Sequence, residues 1–389
     1  WTTNLNTSPY QVVPTASQKF YRLLLNNGFY SWPVYSPNVA YDYVDEFGVV
    51  SPPTAALDDV TGVQGVYASG WWSFVYGTNM NSLVTSNAWI PMVERFNTDF
   101  GYIADVLRWP RDPRAQNGYY SGIYLLGSGL STDPNTPNTT LGGYQSATFY
   151  QGKAWPMAFL SYYPVYSFDP ACPYGDAISS QGASVHEGIH CILAGMPGCQ
   201  NSAWTGEAGN TWLQGTMESQ RSGDFSGMGW LSAGAAIAQF MPVECYSGWL
   251  QDGSFGGPSA EGVNMFTNGQ QICTWRNLLG GTQYGECFMY CMDTILGYKS
   301  VAWVYRNCNK SGRLLQDLAE QTGGIGAAQT RRLIQEFRGR AAMCDFGRKS
   351  YAYKQLLLGA WNTAIGPEWQ PYWINCATWN ATCYVVTTN

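Results

Sequence analysis

The spacing of apolar residues divides the chain into two differently patterned parts. Over 82–100, Leu83, Trp89, Ile90, Val93 and Phe96 fall at roughly helical spacing. A shorter helix is expected over 17–26, carrying Phe20, Leu23 and Leu24 and stopped by Asn-Asn-Gly at 26–28. Trp71–Tyr76, introduced by Ser69-Gly70, and Tyr119–Leu126, closed by Gly-Ser-Gly, are short apolar β-prone runs and read as strands. A further strand-like segment runs from Ala154 to Tyr166, broken by Pro156 and Pro164. Residues 29–70, rich in Pro, Tyr and Val, are expected to form loops and short strands, and 131–143 a polar loop.

After about residue 175 helical periods dominate. Helices are expected over 181–195, 205–221, 226–241, 284–297, 299–306, 312–322, 328–343 and 350–362, most with Gly or Pro at one end. No internal repeat of fixed period is present. The fold expected is α+β, a mixed α/β N-terminal lobe with a twisted sheet followed by a mainly helical C-terminal lobe. The organisation expected is an extended arm over 1–15, an α/β lobe over 16–195, a helical lobe over 196–365 and a disulfide-prone tail over 366–389.

Composition narrows the class. Charged residues make up 12% of the chain, about half the usual share, and aromatics 15%. With a net charge of −6 and no run of Lys and Arg, nucleic acid is not an expected partner. No stretch of about 18 apolar residues suggests a membrane span. The 11 cysteines include no C-x-x-C pair, which suits a disulfide-permissive compartment better than a cysteine zinc site. Their odd number leaves at least one free or paired outside the chain. Sequons begin at Asn6, Asn138, Asn309 and Asn380, as in a secreted glycoprotein. A start at Trp1 without Met is what a processed chain would show. The expected location is therefore extracellular.

The candidate chemistry lies in one pentapeptide. The chain has two histidines, and both stand in His186-Glu187-Gly188-Ile189-His190, an H-E-x-x-H motif. On a helix, positions i and i+4 project from one face, so both imidazoles can reach one Zn2+ ion. Glu187, about 100° around the helix, is then placed to act as general base on a zinc-bound water. Cys191 faces about 100° away from His190 and is not an expected ligand.

With histidine exhausted, a third ligand has to be a carboxylate or a thiolate. Leu193 and Met196 stand where the extended H-E-x-x-H-x-x-G-x-x-H form needs Gly and His, which excludes that class. The nearest downstream acids, Glu207 and Glu218, both fall on the expected helix 205–221, roughly 16 Å apart, so only one can bind the metal. Glu207 is favoured, because small residues at 206, 208 and 209 would let its helix approach the His186–His190 helix closely. Asn210, one turn later, is a candidate to orient the ligating groups.

HEGIH followed, with 16 residues between His190 and Glu207, by Trp204-x-x-Glu207-x-x-Asn210-x-Trp212 resembles the gluzincin branch of the zincin-like metallopeptidases. Ala208, Gly209 and Asn210 depart from the aminopeptidase form W-x-x-E-G-x-A, and a G-x-M-E-N segment is missing. The chain is more similar to a group of secreted zincin-like proteins, through Ile123–Leu130, Tyr246-Ser-Gly-Trp249 with Asp252-Gly253, Tyr284-Gly285 and the Ala341–Asp345 segment. The resemblance spans about residues 70–350. It implies a zincin-like fold, zinc on His186, His190 and Glu207, and a Tyr near the start of a helix as oxyanion donor, a place that Tyr284 matches better than Tyr246.

Three functions fit these readings. The first is a secreted zinc metallohydrolase, an endopeptidase acting on protein or glycoprotein, with the substrate extended along an edge strand. The second is an extracellular structural protein, capable of self-assembly, on a zincin scaffold with weak or lost catalysis. The third is a protein that binds or hydrolyses glycans through its aromatic residues.

Overall fold

The computed structural model describes residues 51–107, 109–133, 142–171, 180–199, 209–217, 287–297, 299–308 and 314–343. The fold is α+β: helices and a mixed five-stranded sheet. Strands β1 (Val63–Ser69), β2 (Trp72–Gly77), β3 (Ser121–Leu125), β4 (Gly143–Tyr150) and β5 (Lys153–Leu160) lie in the order β1-β2-β3-β5-β4. β2, β3 and β5 run parallel, while β1 and β4 are antiparallel edges. The expected strands at Trp71–Tyr76 and Tyr119–Leu126 are thus β2 and β3, and both are buried.

Hydrophobic alternation divides the sheet faces. Trp72, Phe74, Ile123, Leu125 and Leu160 belong to the large core. Val75, Tyr124, Met157 and Phe159 point the other way, into a smaller cluster with Val60, Leu126 and Leu130. Helix α1 (Ser86–Asp105) covers the first face with Met92, Val93, Phe96, Phe100 and Ile103. It also secures the β1–β2 turn. Asn97 accepts a bond from Trp71 N–H at 2.7 Å and donates to Ser69 O at 2.8 Å. Gly70 has φ +56 and leaves the space that the Asn97 amide fills.

The segment 154–166 departs from expectation. It is β5 as far as Leu160 and then a short helix, α3 (Tyr162–Tyr166), rather than continuing as strand. Pro164 falls in the first turn of α3, where its missing N–H removes no intrahelical bond. Pro156 sits inside β5, opposite Ala147 of β4. Pairing with β3 begins only at Ala158, so among the described residues Pro156 has no strand on that side. Its carbonyl instead accepts from Arg114 Nε at 2.5 Å. A strand residue's N and O point the same way, so the absent N–H also faces that gap and costs no ladder bond.

β4 is not legible in the sequence, because an edge strand reading GYQSATFY has no apolar alternation. Its hairpin to β5 turns at Gln151 (φ 50) and Gly152 (φ 74), two left-handed residues as a type I′ turn requires.

Arg114, on the short helix α2 (Pro113–Gln116), anchors the polar part of the second face. Besides Pro156 O, it donates to Tyr124 Oη at 2.8 Å and to Asp59 at 2.5 Å. Asp59 also accepts from Tyr124 at 2.9 Å and from Thr148.

The helix carrying the H-E-x-x-H motif, α4 (Ser180–Leu193), packs on β5, β4 and α3. Downstream come a 3₁₀ turn at Pro197–Cys199 and helix α5 (209–217). They are followed by α6 (Cys287–Leu296), α7 (Lys299–Asn307), α8 (Leu314–Glu320) and α9 (Ala327–Met343). These match the expected helices at 284–297, 299–306, 312–322 and 328–343. Residues 321–326, with glycines at 323, 324 and 326, connect α8 to α9. One apolar cluster joins Trp72 and Phe100 to Val185, Ile189, Trp212, Phe288, Val304 and Phe337, so the helices share the core of the sheet. The expected helices at 17–26, 226–241 and 350–362 lie outside the described residues, as do the arm over 1–15 and the tail over 366–389.

Burial of two charged groups has measurable consequences. Asp59→Ala leaves the Arg114 guanidinium buried without its counterion and should cost about 3–5 kcal/mol in urea unfolding. Asp293, on α6, has its carboxyl pushed from 3.8 up to about 6 by burial. The folded chain therefore holds that proton more tightly than the unfolded one, and stability declines as pH rises from about 3.8 through about 6. Asp293→Asn should remove this slope, so its advantage over the parent in thermal melts should grow across that window.

Candidate metal centre

α4 presents three kinds of residue in one stretch. Val185, Ile189 and Ile192 recur at helical spacing and are buried in the core. Gly188 lies against the aromatic layer. A Cβ there would come within 2.6 Å of Phe100 Cζ and 3.3 Å of Trp72 Cη2. Glycine inside a helix costs about 0.5–1 kcal/mol relative to Ala, and here it permits the close approach of α4 to α1 and β2.

The remaining face carries the motif. His186 is 5% exposed, Glu187 9%, and His190 half-buried. The Nε2 atoms of His186 and His190 are 3.0 Å apart, with ring planes at 89°. Two imidazole nitrogens on one tetrahedral zinc, each at about 2.0–2.1 Å, stand roughly 3.3 Å apart. The pair is therefore within a few tenths of an ångström of a chelating geometry, and neutral imidazole is a preferred zinc donor.

Glu187 points elsewhere, as its position on the helix requires. Its Cγ lies 3.2 Å from where a Cβ on Gly143 would sit, so the side chain passes beside the first residue of β4. Gly142 and Ser161 tie this end of β4 to β5, with Ser161 N–H donating to Gly142 O at 2.9 Å and Gly142 N–H donating to Ser161 Oγ at 3.3 Å. The sequence pattern does not single out Gly143 for the site. The tandem glycine at 142–143 signals that a backbone comes close there, but nothing in the linear order links it to residue 187.

Cys191 takes no part. Its buried Sγ donates to Glu187 O at 3.5 Å, and burial, then the nearby negative charge of Asp112, pushes the thiol well above its ordinary range. It remains a protonated, free thiol.

Helix α5 is buried all round. Asn210 donates through Nδ2 to the main-chain carbonyl of His186 at 2.7 Å. Gln214 donates to the carbonyl of Gly182 at 3.4 Å, a longer and weaker bond. Asn210 therefore contacts the turn that carries the motif through the backbone of His186 and not its ring. At Gly209 a Cβ would meet the Tyr305 hydroxyl at 1.7 Å, so this position makes room for α7.

Glu207, Glu218 and Tyr284 lie outside the described residues. Among the described residues no group of three His, Cys, Asp or Glu is gathered at a metal-binding spacing. No helix among them is long and apolar enough to cross a membrane. Comparison of the chain with protein families, with curated proteins and with solved structures gives no match.

Gly188→Val should bring methyl groups into the Phe100 ring and destabilise the fold by about 1–3 kcal/mol, measured by denaturant unfolding. A parent-like unfolding midpoint would show that the aromatic layer yields easily.

Proposed function

We propose that the protein is a zincin-like zinc metallohydrolase, an endopeptidase that works outside the cell on protein or glycoprotein substrates. The observation that carries this reading is the pair of imidazole nitrogens 3.0 Å apart, with Glu187 at the next position directed toward an edge strand. His186 and His190 would hold the ion, and Glu207 is proposed as the third ligand. The residue order supports that choice. From Asn210 to Gln214 the contacts on α4 retreat from His186 to Gly182, so the two helices run antiparallel. Lower numbers on α5 therefore correspond to higher numbers on α4, toward His190, and Glu207 precedes Asn210 by three residues.

When bound, zinc supplies Lewis acidity, polarising a carbonyl and lowering the pKa of a water to about 7. The chain's own residues handle binding and protons. Among the described residues β4 is an edge, and one side of its backbone is proposed to pair with an extended peptide. A peptide added there runs past Gly143 and brings its own carbonyls to the Glu187 side chain. Glu187 takes a proton from the attacking water and returns it to the departing amine. Its near-complete burial keeps competing solvent from the proton it holds. Tyr284 is proposed to donate to the developing oxyanion.

The test combines metal content with peptide cleavage. Glu187→Gln should retain zinc and lose about 10²–10⁴-fold in turnover, the usual contribution of a general base. His190→Ala should lose both zinc and turnover. Full peptidase activity in metal-free protein, or a parent rate in Glu187→Gln, would sink the proposal.

A further inference from the structure

We propose that Asn210 is a positioning residue for the histidine pair, acting through the main chain of His186, and that Gln214, one turn along, is its weaker companion. The proposal rests on the metal reading above and names a residue that reading does not need.

α5 is a helix whose every residue from 209 to 217 is buried, yet it carries amides at 210 and 214. Placing an amide in such surroundings is unfavourable unless it is hydrogen-bonded. The two amides stand one helical turn apart, and their acceptors, His186 O and Gly182 O, stand one turn apart on α4 in the opposite direction. Asn210 makes the shorter bond, 2.7 Å against 3.4 Å, while its Oδ1 is buried with no hydrogen-bond partner among the described residues. The bond to His186 O is thus the side-chain hydrogen bond that offsets the burial of this amide.

The acceptor gives that bond its consequence. In an α-helix the carbonyl of residue 186 is also the acceptor for the N–H of residue 190. One oxygen therefore joins the backbones of both imidazole-bearing residues to α5. Fixing it limits rotation of this helical turn about its axis, and with it the direction of both rings. Gly182 O, one turn earlier, accepts the N–H of His186 but not that of His190, and Gln214 reaches it only at 3.4 Å, so that bond holds the turn more weakly.

The experiment compares Asn210→Ala, Asn210→Asp and Gln214→Leu with the parent, reading zinc affinity by chelator competition, the visible spectrum of the cobalt-substituted chain, and thermal stability. Asn210→Asp keeps the side-chain volume and covers the case in which the alanine chain does not fold. The Asn210 variants should bind zinc about 10–100-fold more weakly, the usual effect of losing an outer-shell partner, with shifted cobalt bands. Gln214→Leu should weaken zinc binding clearly less than the Asn210 variants do, with smaller band shifts. Parent-like zinc affinity and cobalt bands in the Asn210 variants would overturn the proposal, as would equal weakening at 210 and 214. If the parent itself takes up no zinc, the site reading falls first, and the role of Asn210 with it.

Discussion

The contact on which the site depends is that of Gly188 with Phe100 and Trp72. At this point α4 comes close to the aromatic layer because one residue of the motif has no side chain. That approach sinks Val185 and Ile189 into the common core and turns the remaining arc of the helix toward β4. The positions of His186, Glu187 and His190 follow from it. A bulkier residue at 188 would push against the Phe100 ring and shift the turn that sets Glu187 beside Gly143.

Two other buried polar arrangements hold what surrounds this contact. Behind the sheet, Arg114 bonds Asp59, Tyr124 and the carbonyl of Pro156, and so completes the part of β5 that β3 does not reach. Its strength lies in full satisfaction, since a buried ion pair is otherwise a poor source of stability. On the other flank of α4, Asn210 and Gln214 link α5 to the helix backbone. The H-E-x-x-H helix is thus held by shape on one side and by directed hydrogen bonds on the other. A site that must keep two rings aimed at one point benefits from both.

Several elements are legible in the order of residues alone. β2, β3, α1, α4 and the helices after residue 287 announce themselves by apolar runs or helical periods. β4 and α3 do not. β4 is an exposed edge whose side chains follow no apolar alternation, and α3 consists of three tyrosines, a valine and a proline that look equally β-prone. In the candidate site the histidines and Glu187 can be named because i, i+4 spacing is a local property. Asn210 can be named as a candidate, but not the atom that it contacts.

The sequence alone determined that two imidazoles share a helix face and that Glu187 stands off that face, because helix geometry needs no neighbours. Only the tertiary structure decided that Glu187 passes beside an edge strand and that Gly143 leaves room for it. It also decided that Gly209 serves Tyr305 and that Asn210 reaches the carbonyl of His186. These depend on which surfaces meet across long sequence separations, and such meetings are set by shape and burial over the whole core rather than by the order of residues.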